Sequence, residues 1–418
     1  MERIPSGIRA LLVASFFSAF AQIGQITIIG KQVFDMTGST LDLGLLGLAE
    51  FLPVAILSPI TGSVADRFDR RKVFALALAG ESLVSVLLFL YIRSDPSSIA
   101  PIFGLVLLFG VFRACASPAS RALPIDLAPA GLLERVVALR TFSFMAGGIV
   151  GPVALAFVFV AGPAFPYLVA AGGFGMGIGL LTLVPEPPVS QHRPTGVRQV
   201  IRDAFEGLRF IRRTPIVFGA ISLDLFAVLF GGVIALLPAI AEERLGVGAV
   251  GLGWLRAAVG IGAAGTALFL SIRPLRRHVG RQLLTMVAIF GVLTIVLGFT
   301  QSFAVAFIAL LAAAAADAVS MFIRASLVPL ATPGHMRGRV LAVENVFIGA
   351  SNELGAVESG VTATLLGLVG AIIFGGVGTL VVVAFWWRFF PALRLVDRFE
   401  EVRSSEPPTE TATRNTAT

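Results

Sequence analysis

Twelve stretches of about twenty mostly apolar residues, each long enough to cross a lipid hydrocarbon core as a helix, leave this chain few ways to fold. Six of them lie at 9–30, 41–62, 73–92, 101–121, 138–161 and 164–184. After a gap come 215–239, 250–272, 282–300, 303–323, 340–363 and 366–387. The pattern predicts an all-α integral membrane protein with twelve transmembrane helices, six on each side of the gap. A water-soluble core would not call for 56% hydrophobic residues or a mean hydropathy of +0.91. The first stretch is too long for the apolar core of a secretory signal and another follows it quickly, so it reads as a span, not a cleaved leader. The single cysteine, Cys115, falls inside the fourth stretch and offers no intrachain disulfide.

The charges set the orientation. Of 32 Lys and Arg, 26 lie in the N-terminus, the even-numbered loops and the tail. The odd-numbered loops hold Lys31, Arg93 and Arg244, and Arg113, Arg256 and Arg324 lie within spans. Positive charge favours the cytoplasmic side. Both termini are therefore expected in the cytoplasm, with the chain multi-pass in a bacterial plasma (inner) membrane. The net charge of +7 then reflects topology. No basic stretch is interleaved with stacking aromatics as a strand-binding groove would be, so nucleic acid is not a partner.

The chain divides into an N-terminal six-helix half (1–184), a cytoplasmic linker (185–214), a second half (215–390) and a polar tail (391–418) that reads as largely disordered. Within the linker, Val197, Ile201, Phe205, Leu208 and Ile211 recur at helical spacing among arginines. This predicts an amphipathic basic helix at the membrane surface, a connector or a lipid-responsive element. The halves repeat. With Pro129 set against Pro333, "ERVVAL" at 134–139 faces "GRVLAV" at 338–343 and Gly151 faces Gly355. Parallel repeats about an axis along the membrane normal are a transporter architecture with its substrate site at the interface.

The densest knot of charge, "GSVADRFDRRKV" at 62–73, falls between the second and third spans. Gly62, Asp66, Arg67, Arg70 and Arg71 resemble the loop signature of the major facilitator superfamily, with Asp69 where that signature has its second glycine. Asp tolerates a left-handed backbone, so the turn is expected to survive. The resemblance implies the major facilitator fold and a cytoplasmic latch that holds the halves together when the cavity faces outward. Asp66 would meet the positive end of another helix, with the eleventh helix, starting near residue 339, as partner. The corresponding loop of the second half, "IRPLRRHVGRQ", aligns Gly280 and Arg281 but places Arg277 where Asp66 would be.

Ionisable residues at membrane depth are functional candidates by default. They are Glu50, Glu81, Arg113, Asp224, Arg256, Asp317, Arg324, Glu344, Glu353 and Glu358. In the family, helices one, four, seven and ten line the cavity. That raises Arg113, Asp224 and Asp317, with Glu50, Glu344 and Glu358 as further candidates for proton coupling. Arg113 stays charged; it serves as counter-charge to a relay acid or bridges helices. Asp224 reads as a lone carboxylate, and Arg324 as a side chain reaching for the cytoplasm. On a wheel of the eleventh span, Glu344, Asn345, Ser351, Asn352, Glu358, Ser359 and Thr362 share a polar sector, and Glu353 lies outside it, placed to pair with a neighbour.

Gly147, Gly151 and Pro152 partly match a fifth-helix motif of the family's exporters, where small residues four apart bring helices close. "FIGASNELG" at 347–355 is similar to a stretch of the exporter branch that includes macrolide and siderophore (enterobactin-type) effluxers. Neither lysine ends a phosphate-binding loop, and His192, His278 and His335 are scattered. No cofactor, metal or enzymatic activity is expected. The resemblance implies a monomeric secondary transporter, a proton-coupled exporter of small amphipathic molecules. A nutrient importer, a lipid flippase and a non-transporting sensor are the alternatives.

Overall fold

The structure, a computed structural model, describes residues 4–129, 131–187 and 197–403, without the side chains of 58–60, 62, 63, 65, 66, 197–201 and 403. The N-terminal half holds α1 (Ser6–Thr37), α2 (Thr40–Arg67), α3 (Arg70–Arg93), α4 (Ala100–Leu127), α5 (Leu133–Ala161) and α6 (Phe165–Leu181). Linker helix α7 (Val197–Arg213) precedes α8 (Pro215–Phe230), α9 (Gly248–Ile272), α10 (Val279–Phe299) and α11 (Phe303–Leu330). A continuous helical stretch, Arg337–Phe389, breaks where Gly367 takes φ 74°. Its two parts are α12 (337–366) and α13 (368–389), and the short α14 (Pro391–Arg394) and α15 (Phe399–Arg403) follow. With α7 and the two short helices set aside, twelve apolar helices remain among the described residues, as the sequence predicts. The shortest, α8, has 16 residues and spans roughly 24 Å at about 1.5 Å per residue.

Local chemistry sets the boundaries. Gly38, at φ 61°, ends α1 in the left-handed conformation that glycine adopts without strain. Ser39 then caps α2 by accepting from the Asp42 N–H at 3.2 Å. Asp69 corrects one expectation. Its φ is −55°, not left-handed, and its side chain caps α3 by accepting from the Arg71 N–H at 2.9 Å. The position needs a capping acceptor, which a glycine would not supply. The seventh span, read as one helix over 215–239, is broken: α8 stops at Phe230, a 3₁₀ turn runs over Gly232–Leu236 and a π turn over Ile240–Arg244.

The repeat is visible in three dimensions. Helices α4 and α11 are both 28 residues long, with Pro124 and Pro329 near their ends. The halves meet along two seams, α2 on α12 and α5 on α9. On the odd-loop side these seams are tight. A Cβ on Gly44 would stand 2.6 Å from the Ala356 carbonyl oxygen, one on Gly360 2.8 Å from that of Thr40, and one on Gly253 2.7 Å from that of Pro152. Continued towards the linker, the same helix stripes reach Ala55, Ala342, Val346 and Phe142, all exposed. The molecule is a V, closed on the odd-loop side and open on the side of linker and termini.

Candidate functional site

The first charge cluster belongs to the second half. Asp224 on α8 pairs with Arg324 on α11, and both side chains are less than one-tenth exposed. Asp317, two helical turns before Arg324 on the same helix, and Glu344 on α12 lie within electrostatic range of both. Three carboxylates from three helices thus share one guanidinium. Two expectations are corrected here. Asp224 is not a lone carboxylate, and Arg324 does not reach for the aqueous face. The physical reason is the i, i+7 stripe on α11, which turns Arg324 inward onto α8, where only a paired charge is tolerable. Asp317 also opens onto a cavity of about 100 Å³ within this half, with Val259, Phe290, Leu297 and Met321 among its apolar walls.

The second cluster sits at the seam. Arg113 on α4 pairs with Glu50 on α2. Glu353 on α12 lies within range of Arg113 and of Arg256 on α9. The counter-charge of Asp224 is therefore Arg324 and not Arg113, which is committed to Glu50 and Glu353. Glu353 meets the neighbouring helices that its place on the wheel suggested. Glu358 is engaged nearer the closed side, accepting from Thr362 Oγ1 at 2.7 Å and Ser359 Oγ at 3.4 Å.

Sequence reading missed the burial of Lys31 and, although it placed Glu81 at membrane depth, it did not find that residue's partners. On the closed side, Lys31 of α1 is 5% exposed. It pairs with Asp35 and, across the halves, with Glu242 of the π turn at 3.2 Å. Its ammonium also stands 5.7 Å from the Phe159 ring. Phe34, Leu43 and Ala239 form an apolar plug beside it. Read as an odd-loop charge, Lys31 gave no hint of burial; that it is one of two lysines in the chain was the available signal. In the core of the first half, Gln22 Nε2 donates to both carboxyl oxygens of Glu81 at 3.0 Å, and Ser85 Oγ donates to Gln25 Oε1 at 2.5 Å. Glu81, Ser85 and Gln25 are fully buried.

In the loop motif, Arg70 donates to both oxygens of Asp126 at the end of α4, at 2.7 and 2.8 Å. Arg71 donates to the Val184 carbonyl at 2.7 Å and pairs with Glu186 at 3.0 Å. These contacts tie the motif to its own half. Arg67 is exposed, and the side chains of Gly62 and Asp66 lie outside the described residues. The expected partner, the start of α12, holds the linker helix: Arg339 pairs with Asp203 at 2.9 Å and Glu206 at 2.5 Å. On α7, Ile211 is buried while Phe205 is 69% exposed. In the second half's loop, His278 N–H and Nδ1 meet Asp397 at 3.0 and 2.7 Å. That backbone N–H, with the nearby charges of His278, Arg277 and Arg398, holds the Asp397 carboxyl below the usual carboxylate range.

Gly147 and Gly151 face α1, where added Cβ atoms would stand 2.2 Å from the carbonyl oxygens of Phe16 and Phe20. Pro152 is buried beside them. Among the described residues no group of three or more His, Cys, Asp or Glu could hold a metal ion.

This arrangement has counterparts. A family model described as transmembrane secretion effector matches residues 6–415. YfiS of Bacillus subtilis strain 168, an MFS-type transporter, is 27% identical over 379 residues, covering 88% of this chain and 86% of that protein. The enterobactin exporter EntS of Escherichia coli O1:K1 is 26% identical over 383 residues, covering 90% and 89%. Among solved structures, the inward-open xylose transporter XylE of E. coli superposes with a TM-score of 0.71 at 16% identity, covering 95% of this chain and 99% of that one, a likeness of fold alone. The chain is a multi-pass membrane transporter, not an enzyme, and belongs to the transmembrane secretion effector family of the major facilitator superfamily.

Proposed function

We propose that this transporter is a proton-coupled exporter of small amphipathic organic molecules, working by alternating access with its termini in the cytoplasm. The observation that carries the reading is the buried Asp224–Arg324 pair where α8, α11 and α12 meet, with Asp317 and Glu344 in range of both. A single guanidinium cannot neutralise three carboxylates, so the cluster has room for a proton. A carboxyl at membrane depth takes a proton readily when its counter-charge turns away. Motion of α8 against α11 would break and remake the pair as the halves rock. Similarity to an enterobactin exporter supports export and an organic substrate. The loop motif, in which Arg70 meets Asp126 and Arg71 the Val184 carbonyl within the first half, fits a V open to the cytoplasm.

The test is flux in proteoliposomes with a panel of enterobactin, a macrolide and a dye, with and without a pH gradient. Wild type should concentrate at least one compound only when the gradient is present. The Asp224→Asn protein should equilibrate the same compound without concentrating it. Equal accumulation with and without the gradient removes the proton from the mechanism.

A further inference from the structure

Helices α4 and α5 carry more positive charge than the coupling scheme uses. Arg113, Ser117, Ser120 and Arg121 recur at i, i+4, i+7 and i+8, so at about 100° per residue they share one face of α4. Arg140 of α5 closes on that face: its guanidinium donates to Ser120 Oγ at 3.3 Å and stands 5.5 Å from the Phe144 ring. Arg121 lies within electrostatic range of both Arg113 and Arg140, and Arg113 within range of Arg256 across the seam.

Four guanidiniums thus form a chain from membrane depth to the open end. Against them stand Glu50 and Glu353, both at the deep end. Arg121 and Arg140 have no carboxylate within ion-pair distance among the described residues. The Arg140 Nε atom is buried with no acceptor. Holding like charges together costs free energy, and so does an unanswered buried donor. Orientation in the membrane asks only that basic residues reach the aqueous face, and does not ask for the buried, unanswered Arg140 Nε.

We infer that Arg113, Arg121, Arg140 and Arg256 form an anion-binding track, and that the molecules this protein exports carry a negatively charged group, such as a carboxylate, sulfonate or acidic phenol. The inference rests on the transport reading above and narrows its substrate class. Guanidiniums suit such groups because their planar fork donates to two oxygens at once and stays charged at every working pH. The Phe144 ring beside Arg140 offers an apolar surface to the rest of an amphipathic anion.

Binding, measured apart from flux, tests the track. Carboxyfluorescein, an anion, and rhodamine 123, a cation on the same xanthene ring system, are titrated onto the purified full-length protein in nanodiscs of neutral lipid. The anion should bind at least about tenfold more tightly, and its affinity should fall as NaCl rises from about 0.05 to about 0.5 M. Arg121→Gln and Arg140→Gln should each weaken it roughly tenfold, while Arg209→Gln, on the exposed face of α7, should not. Equal or tighter binding of the cation, binding of neither dye, or anion binding indifferent to both salt and the Arg121 and Arg140 substitutions overturns the inference. Should Arg121→Gln or Arg140→Gln fail to fold, the anion preference and salt dependence of the wild type decide. Gradient-driven flux of the panel is a separate readout, so the transport reading can stand where the track fails.

Discussion

Asp224 and Arg324 show how much one residue's meaning depends on its partner. In the sequence, an aspartate ten residues into an apolar span is a lone charge. In the fold it is half of a buried pair. Removing one partner of such a pair leaves an uncompensated charge in a low-dielectric interior, which costs about 3–5 kcal/mol. Arg324→Ala should therefore lose stability on that scale, read as a lower unfolding midpoint in detergent. The Arg324→Leu, Asp224→Leu double variant should recover much of the loss, because the Asp224 carboxylate is then no longer left buried without its partner. A double variant as unstable as Arg324→Ala would mean the pair contributes through shape and not charge. The acids and Arg113 were legible from the sequence, since charge within apolar runs is conspicuous. Their pairing was not. Which guanidinium answers which carboxylate depends on helix rotation and on which helices touch, and periodicity along one helix carries neither.

Helices were the most legible level. Period and length placed all twelve spans, because lipid demands about twenty apolar residues in a row whatever the sequence around them. What escaped is local backbone: the break after Phe230, the π turn at Ile240–Arg244 and the capping role of Asp69. The first two arise where tertiary packing overrides a mostly apolar run, and the third is a local side-chain cap in a charged loop. The fifth helix illustrates packing that can be read in part. Gly147 and Gly151 bring α5 against the α1 backbone, and the spacing of four announced a close approach without naming the partner. Gly151→Ala should push the helices apart and cut the yield of monodisperse protein on size-exclusion chromatography several-fold. Gly172→Ala, whose Cβ meets nothing within 4 Å, should leave the yield unchanged. If both variants behave alike, close α1–α5 packing is not what these glycines provide.

At the scale of the molecule, two six-helix halves meet in seams that are tight at one end and parted at the other. The closed end is held by the apolar plug of Phe34, Leu43 and Ala239 and by Lys31, which bridges α1 to Glu242. Alternating access requires that this end part when the other closes. The repeat and the family were readable from the sequence; the open end was not, since either state of the V has the same hydrophobic pattern. The closure is most directly tested by pulsed electron paramagnetic resonance on two spin-label pairs, Thr37 with Glu243 at the closed end and Ala55 with Ala342 at the open end. With Glu242→Gln removing the ion pair across the halves, the Thr37–Glu243 distance should lengthen by several ångström while the Ala55–Ala342 distance shortens in the same sample. Distances that stay fixed, or that lengthen together, would contradict a rocking transporter.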